Sequence, residues 1–89
     1  MFEWDETKSA ATRQERGFDF AFASHIFEGP TLEREDLRFH YGEERMRAIG
    51  KVEARMLFVV YTWRGEIRRI ISARDADRKE RDAYRAIYG

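Results

Sequence analysis

The run Met56-Leu57-Phe58-Val59-Val60-Tyr61 constrains this chain more than any other stretch of it. A β-strand points successive side chains to opposite sides, so an unbroken apolar run needs cover on both faces. It predicts a central strand, Arg55–Arg64, within a sheet packed from two sides. Upstream, Arg45–Val52 alternates charged and apolar residues, as a half-exposed strand does. Downstream, Trp63-Arg64-Gly65-Glu66 reads as a hairpin into a further strand, Ile67–Ala73. Thr31–Leu37 and the short Phe2-Glu3-Trp4 complete the expected strands.

Helix signals surround these strands. Asp5 is placed to cap a polar helix, Glu6–Arg16, which Gly17 closes in a left-handed conformation, with Ala10 and Ala11 as its buried side. Asp19 caps a second helix, where Phe22, Ala23, Ile26 and Phe27 recur at helical spacing until Glu28-Gly29-Pro30 stops it. Phe18, Phe20, Phe22 and Phe27 form the expected hydrophobic plug on the sheet. Asp77 stands three residues before Glu80, a capping-box spacing. The helix it opens carries Ala76, Glu80, Ala83, Tyr84 and Ile87 on one face. The order β-α-α-β-β-β-β-α predicts an α+β fold: a small antiparallel sheet, two N-terminal helices and one C-terminal helix. Residues 1–89 are read as one domain, a length near the lower end of what folds alone.

Composition narrows the function. No apolar run approaches the roughly 20 residues of a membrane span, and Met1-Phe2-Glu3-Trp4-Asp5-Glu6 lacks the pattern of a secretory signal. Cysteine is absent, which excludes disulfides and thiolate metal sites and suits a reducing, cytoplasmic setting. Two histidines without cysteine make zinc a poor fit, and Ser9, Ser24 and Ser72 belong to no nucleophile–base–acid arrangement. No metal or cofactor is expected. The net charge of zero conceals a gradient: residues 1–36 carry nine acids against four bases, and residues 37–89 carry about five more bases than acids. Fourteen of the seventeen bases are arginine, whose rigid fork matches phosphate or carboxylate oxygens in pairs.

Five blocks carry a resemblance. They are Phe2-Glu3-Trp4-Asp5-Glu6 with Lys8, Phe27-Glu28-Gly29-Pro30, Tyr41-Gly42-Glu43-Glu44-Arg45, Tyr61-Thr62-Trp63-Arg64-Gly65 and Arg69-Ile70-Ile71-Ser72-Ala73-Arg74. In this register, from Phe2 to Tyr84, the chain resembles the BrnT family of toxins. The resemblance implies a RelE-like fold, with helices on one face of a small antiparallel sheet. It implies a ribonuclease toxin of a type II toxin–antitoxin system, inhibiting translation and growth. The implied partner is a BrnA-like antitoxin with a ribbon-helix-helix DNA-binding domain, assembled with the toxin as a heterotetramer. Operator DNA is then reached only through the antitoxin, and no membrane is involved. The chain departs from the family where an Asn and a terminal Lys-His-Gly are usual: Thr12 and Glu15-Arg16-Gly17 stand there.

RNA needs no metal to be cut, because its own 2′-hydroxyl can attack the adjacent phosphorus. The protein orients the attack, moves two protons and stabilises the phosphoryl charge. Arg64 closes the central strand, Arg74 leaves the last strand, and Arg45 and Arg69 stand near strand ends, so these are the expected phosphate-binding groups. Glu43 is a candidate base or a partner that orients Arg45; His40 is a candidate acid or base. Trp63 is the candidate base-stacking residue, with Arg47 and Lys51 as further RNA contacts. His25 and Trp4 are assigned to packing. An acidic antitoxin segment is expected to cover the basic surface of residues 45–74. Two non-catalytic alternatives are a dead toxin-like module acting as co-repressor and an adaptor whose acidic N-terminal third meets a basic protein.

Overall fold

The computed structural model describes residues 1–38 and 40–89. In chain order it contains β1 (Phe2–Trp4), α1 (Glu6–Arg16), α2 (Phe20–Ser24), β2 (Leu32–Glu35), β3 (Met46–Val52), β4 (Arg55–Arg64), β5 (Ile67–Asp75) and α3 (Arg78–Tyr88). A 3-10 turn over His25–Glu28 extends α2, where one continuous helix was expected. The strands form one sheet in the order β1-β5-β4-β3-β2, with the apolar run of β4 at its centre.

Alternation along β4 builds two cores from one strand. Leu57, Val59 and Tyr61 join Phe18, Phe20, Ala23 and Ile26 on the face covered by the N-terminal helices. Met56, Phe58 and Val60 join Ile49, Ala76 and Tyr84 on the face covered by α3. The first we term the aromatic face, the second the arginine face. Helices therefore lie on both faces, which corrects the one-sided packing that the family resemblance implied. Each fully buried large side chain, such as Leu57 or Phe20, contributes about 1.5–3 kcal/mol by leaving water.

The sheet is mixed, not purely antiparallel. β2 through β5 form an antiparallel meander, but β1 lies parallel to β5, pairing Phe2 with Arg68 and Trp4 with Ile70. Tight hairpins dictate antiparallel pairing only between consecutive strands. β1 reaches the edge of β5 across the whole remaining fold, so no turn fixes its direction.

Register departs from regularity once. Val60 pairs with Ser72 but Tyr61 pairs with Ile70, leaving Ile71 as an extra residue, a β-bulge in β5. Before the bulge, Arg69 sits opposite Thr62; after it, Arg74 sits opposite Phe58. Thr62 and Phe58 share a face, so the bulge puts both arginines on the arginine face although they stand five positions apart, an odd offset.

Local chemistry fixes the helices. Asp5 accepts hydrogen bonds from the amides of Thr7 and Lys8 at 2.8 and 3.2 Å, and Gly17 ends α1 at φ 83°. Ala10 and Ala11 are exposed; buried Ser9 faces inward instead, its Oγ accepting the Phe20 amide at 3.0 Å. A hydroxyl that ties α1 to α2 replaces the apolar contact expected there. Gly50 lets the 3-10 turn approach the sheet, since a Cβ at that position would lie 2.8 Å from Ile26 Cβ. Asp77 and Glu80 complete the capping box of α3. Among the described residues, no helix is long and apolar enough to cross a membrane.

Candidate active site

The arginine face is half covered. α3 packs over Met56, Phe58 and Ile49, while beyond it the same face continues through Val60, Thr62 and Arg64. Strand alternation sets Arg34, Arg47, Arg64, Arg69 and Arg74 on this side. The connection from β2 to β3 folds over it: Thr62 Oγ1 donates to the Glu44 carbonyl at 2.6 Å.

That connection is anchored by a buried acid. Asp36 is 4% exposed and accepts both ends of the Arg38 guanidinium at 2.8 Å, plus the Tyr41 hydroxyl at 3.1 Å. The Arg38 hydrogen bonds hold its carboxyl far below the usual carboxylate range. Tyr41 in turn lies under Arg45, whose guanidinium carbon is 4.0 Å from the ring centre.

Four of the sequence-derived candidates meet here. Glu43, Arg45, Arg64 and Arg69 line one cavity of about 180 Å³ together with Asp5 and Lys8. Glu43 Oε2 accepts from Arg45 Nε at 3.2 Å, and its other oxygen lies 3.8 Å from Arg64. Arg69 pairs with Glu3 at 2.9 Å across the β1–β5 boundary. The Arg64 side chain remains 55% exposed, so its fork is open to a ligand. The pocket offers three guanidinium groups and one ammonium against two carboxylates, Asp5 and Glu43, a net cationic cradle around a central base-competent carboxylate.

The other candidates lie elsewhere. Arg74 shares the face, but from Phe58 to Arg64 along β4 is roughly 20 Å. Its fork is engaged by Glu80 at 2.8 Å on both arms, and it stacks 4.1 Å above Phe58. Glu80 therefore drives its pKa up. Arg47 lines a second cavity beside α3. Lys51 sits at the far end of the face, 5.7 Å from the Tyr84 ring. Trp63 points to the aromatic face, edge-on to Tyr61 at 5.7 Å and under Arg68 at 4.6 Å. His40 is exposed on the β2–β3 connection. Among the described residues no cluster of metal-ligating side chains forms.

Sequence reasoning passed over Lys8, Arg34, Tyr41 and Lys79. Arg34 was findable, because Leu32 and Arg34 share a phase in a short alternating strand. Lys8 was not, since only the fold brings the first turns of α1 beside β5. The Glu15-Arg16-Gly17 departure falls at the opposite end of α1, roughly 12 Å from Lys8 along the helix axis, outside this pocket.

The chain from residue 4 to residue 80 matches the model of a family described as the ribonuclease toxin BrnT of type II toxin–antitoxin systems. No curated protein matches the chain.

Proposed function

The chain belongs to that BrnT family of ribonuclease toxins, and from this premise we propose that its arginine face cuts RNA by transesterification without a metal ion. One observation carries the reading: Glu43 sits between Arg45 and Arg64 in a cavity that Arg69 and Lys8 also line. Arg64 and Arg45 grip the non-bridging oxygens of the scissile phosphate and stabilise the charge that builds there. Glu43 takes the proton of the 2′-hydroxyl as its oxygen attacks phosphorus. The bond to the 5′-oxygen then breaks, and the leaving oxygen takes its proton from solvent at the open pocket, since His40 is not among the residues that line it. Arg69, held by Glu3, fixes the neighbouring backbone, and Arg74 orders the junction of β5 with α3.

The wider setting follows from the same premise. As a type II toxin the chain has an antitoxin partner. We assign that role to a BrnA-like protein with a ribbon-helix-helix domain, forming a heterotetramer in the cytoplasm that reaches operator DNA through the antitoxin. Its acidic segment lies over the arginine face and competes with RNA. A RelE-like fold is consistent with a meander sheet flanked by helices.

The test is direct. The purified chain should cut RNA in EDTA, leave 2′,3′-cyclic phosphate ends and spare DNA. Cutting that depends on added magnesium rules the mechanism out. Growth arrest that persists in Arg64→Ala would move the reaction away from this pocket.

A further inference from the structure

A second cavity, about 250 Å³, opens on the same face between β2, β3 and α3. Leu32, Ile49 and Phe58 give it an apolar floor, and Arg34, Arg47 and Lys79 stand around it. This is just under the roughly 300 Å³ at which small-molecule sites begin, room for one nucleotide rather than a stretch of them. We propose that it is a nucleotide subsite, seating one base and its phosphate from single-stranded RNA laid along the arginine face. The proposal rests on the ribonuclease reading of the Glu43 pocket and names where its substrate continues.

Three observations support it. Arg34 stands directly opposite Arg47 in the β2–β3 register, a like-charge pairing that opposes sheet stability unless an anion lies between. Arg47 Nε is shielded from water and has no hydrogen-bond partner, an expense that an arriving phosphate oxygen removes. Neither arginine forms an ion pair among the described residues. The nearby acid, Glu80, is already forked by Arg74 and accepts the Asp77 amide at 2.9 Å, so its charge is spent.

The floor favours that ligand. Leu32 and Ile49, with the part of Phe58 that Arg74 leaves uncovered, form an apolar surface against which a base can pack. A nucleotide satisfies the cations and the floor together. Position agrees as well. Arg47 pairs with Val60, four residues before Arg64 on β4, so roughly 13 Å separates the two rows. A short length of one strand bridges that distance.

The probe is a labelled single-stranded oligonucleotide with 2′-O-methyl sugars, which binds but cannot supply the attacking hydroxyl. Fluorescence anisotropy across a salt series should show that Arg47→Gln and Lys79→Ala each weaken binding about tenfold. Each should also flatten the slope of log affinity against log salt by about 0.7, the share of one single-strand phosphate. Cleavage of a dinucleotide, which occupies only the Glu43 pocket, should stay within about twofold in Lys79→Ala while Arg64→Ala lowers it about 100-fold or more. Lys79 is exposed on α3, so its variant keeps the test valid if Arg47→Gln melts early. Unchanged oligonucleotide affinity in Lys79→Ala, or in folded Arg47→Gln, overturns the subsite. Loss of antitoxin binding alone also overturns it, by giving the cavity to a protein. If the unaltered chain cuts no RNA, the ribonuclease reading fails, while the binding series still decides the subsite.

Discussion

The two faces of this sheet are made from alternate residues of the same strands, yet they treat positive charge in opposite ways. On the aromatic face, Arg68 is packed among the rings of Phe27, Tyr61 and Trp63, at 4.1, 5.3 and 4.6 Å from their centres. Arg55 on the same side stacks on Phe18 and forks Asp75, which holds that carboxyl below its ordinary range. Those cations are consumed by the fold. On the arginine face, Arg64 and Arg34 are exposed, and Arg47 Nε has no hydrogen-bond partner among the described residues. Rings and Asp75 hold the first set; the second keeps groups accessible to a ligand. The contrast teaches that charge count says little here, and that what each guanidinium touches decides whether it is structure or site.

Several substitutions bear on that contrast. Arg64→Ala should lower RNA cleavage about 100- to 1,000-fold, the usual cost of losing one preorganised donor to transition-state charge, with the melting temperature unchanged. A tenfold effect or less would mean that the open fork is not gripping the phosphate. Leu57→Ala, in the core beneath the aromatic face, should cost about 3 kcal/mol in chemical denaturation, since its side chain is fully buried. Asp36→Asn should cost about 2 kcal/mol by breaking its charge-assisted bonds to Arg38, and cleavage should fall with it as the connection bearing Glu43 loosens. The same acid sets a pH dependence. Its native pKa is depressed, so its contribution is complete above the ordinary value of 3.8 and drains away as acidity rises through and below it. Acid titration of unfolding should show that loss in the parent and not in Asp36→Asn. Smallest of all, Arg68→Met should shift stability by less than about 1 kcal/mol, an apolar chain replacing one whose Nε is buried without a partner. Cleavage should be untouched. A drop there would place the chemistry on the wrong face and break the comparison.

Much of this architecture was legible before any coordinates. The two-sided burial of β4, the hairpin at Gly65, the Asp5, Asp19 and Asp77 caps and the α+β order all rest on local signals: period, turn residues and side-chain reach. The direction of β1 was not legible, because it depends on a strand far away in sequence. Nor was the inward face of α1, where Ser9 does work that composition assigns to alanine. For the site, Glu43, Arg45, Arg64 and Arg69 could be nominated as residue types, but their convergence could not. It needs the β2–β3 connection to fold back over Thr62, a tertiary event anchored by Asp36. Trp63 shows the converse. It is an exposed aromatic at a strand end, yet period alone sends it to the side opposite Arg64.

The extra residue at Ile71 has a consequence larger than its size. Were Ile71 paired in a regular ladder instead of bulged, Arg69 and Arg74, five positions apart, would look out of opposite walls of the molecule. Absorbing the bulge at constant sequence would leave every charge in place and reverse where those on one side of it point, whereas deleting Ile71 would keep both arginines on one face. The arginine face is thus written in spacing as much as in chemistry.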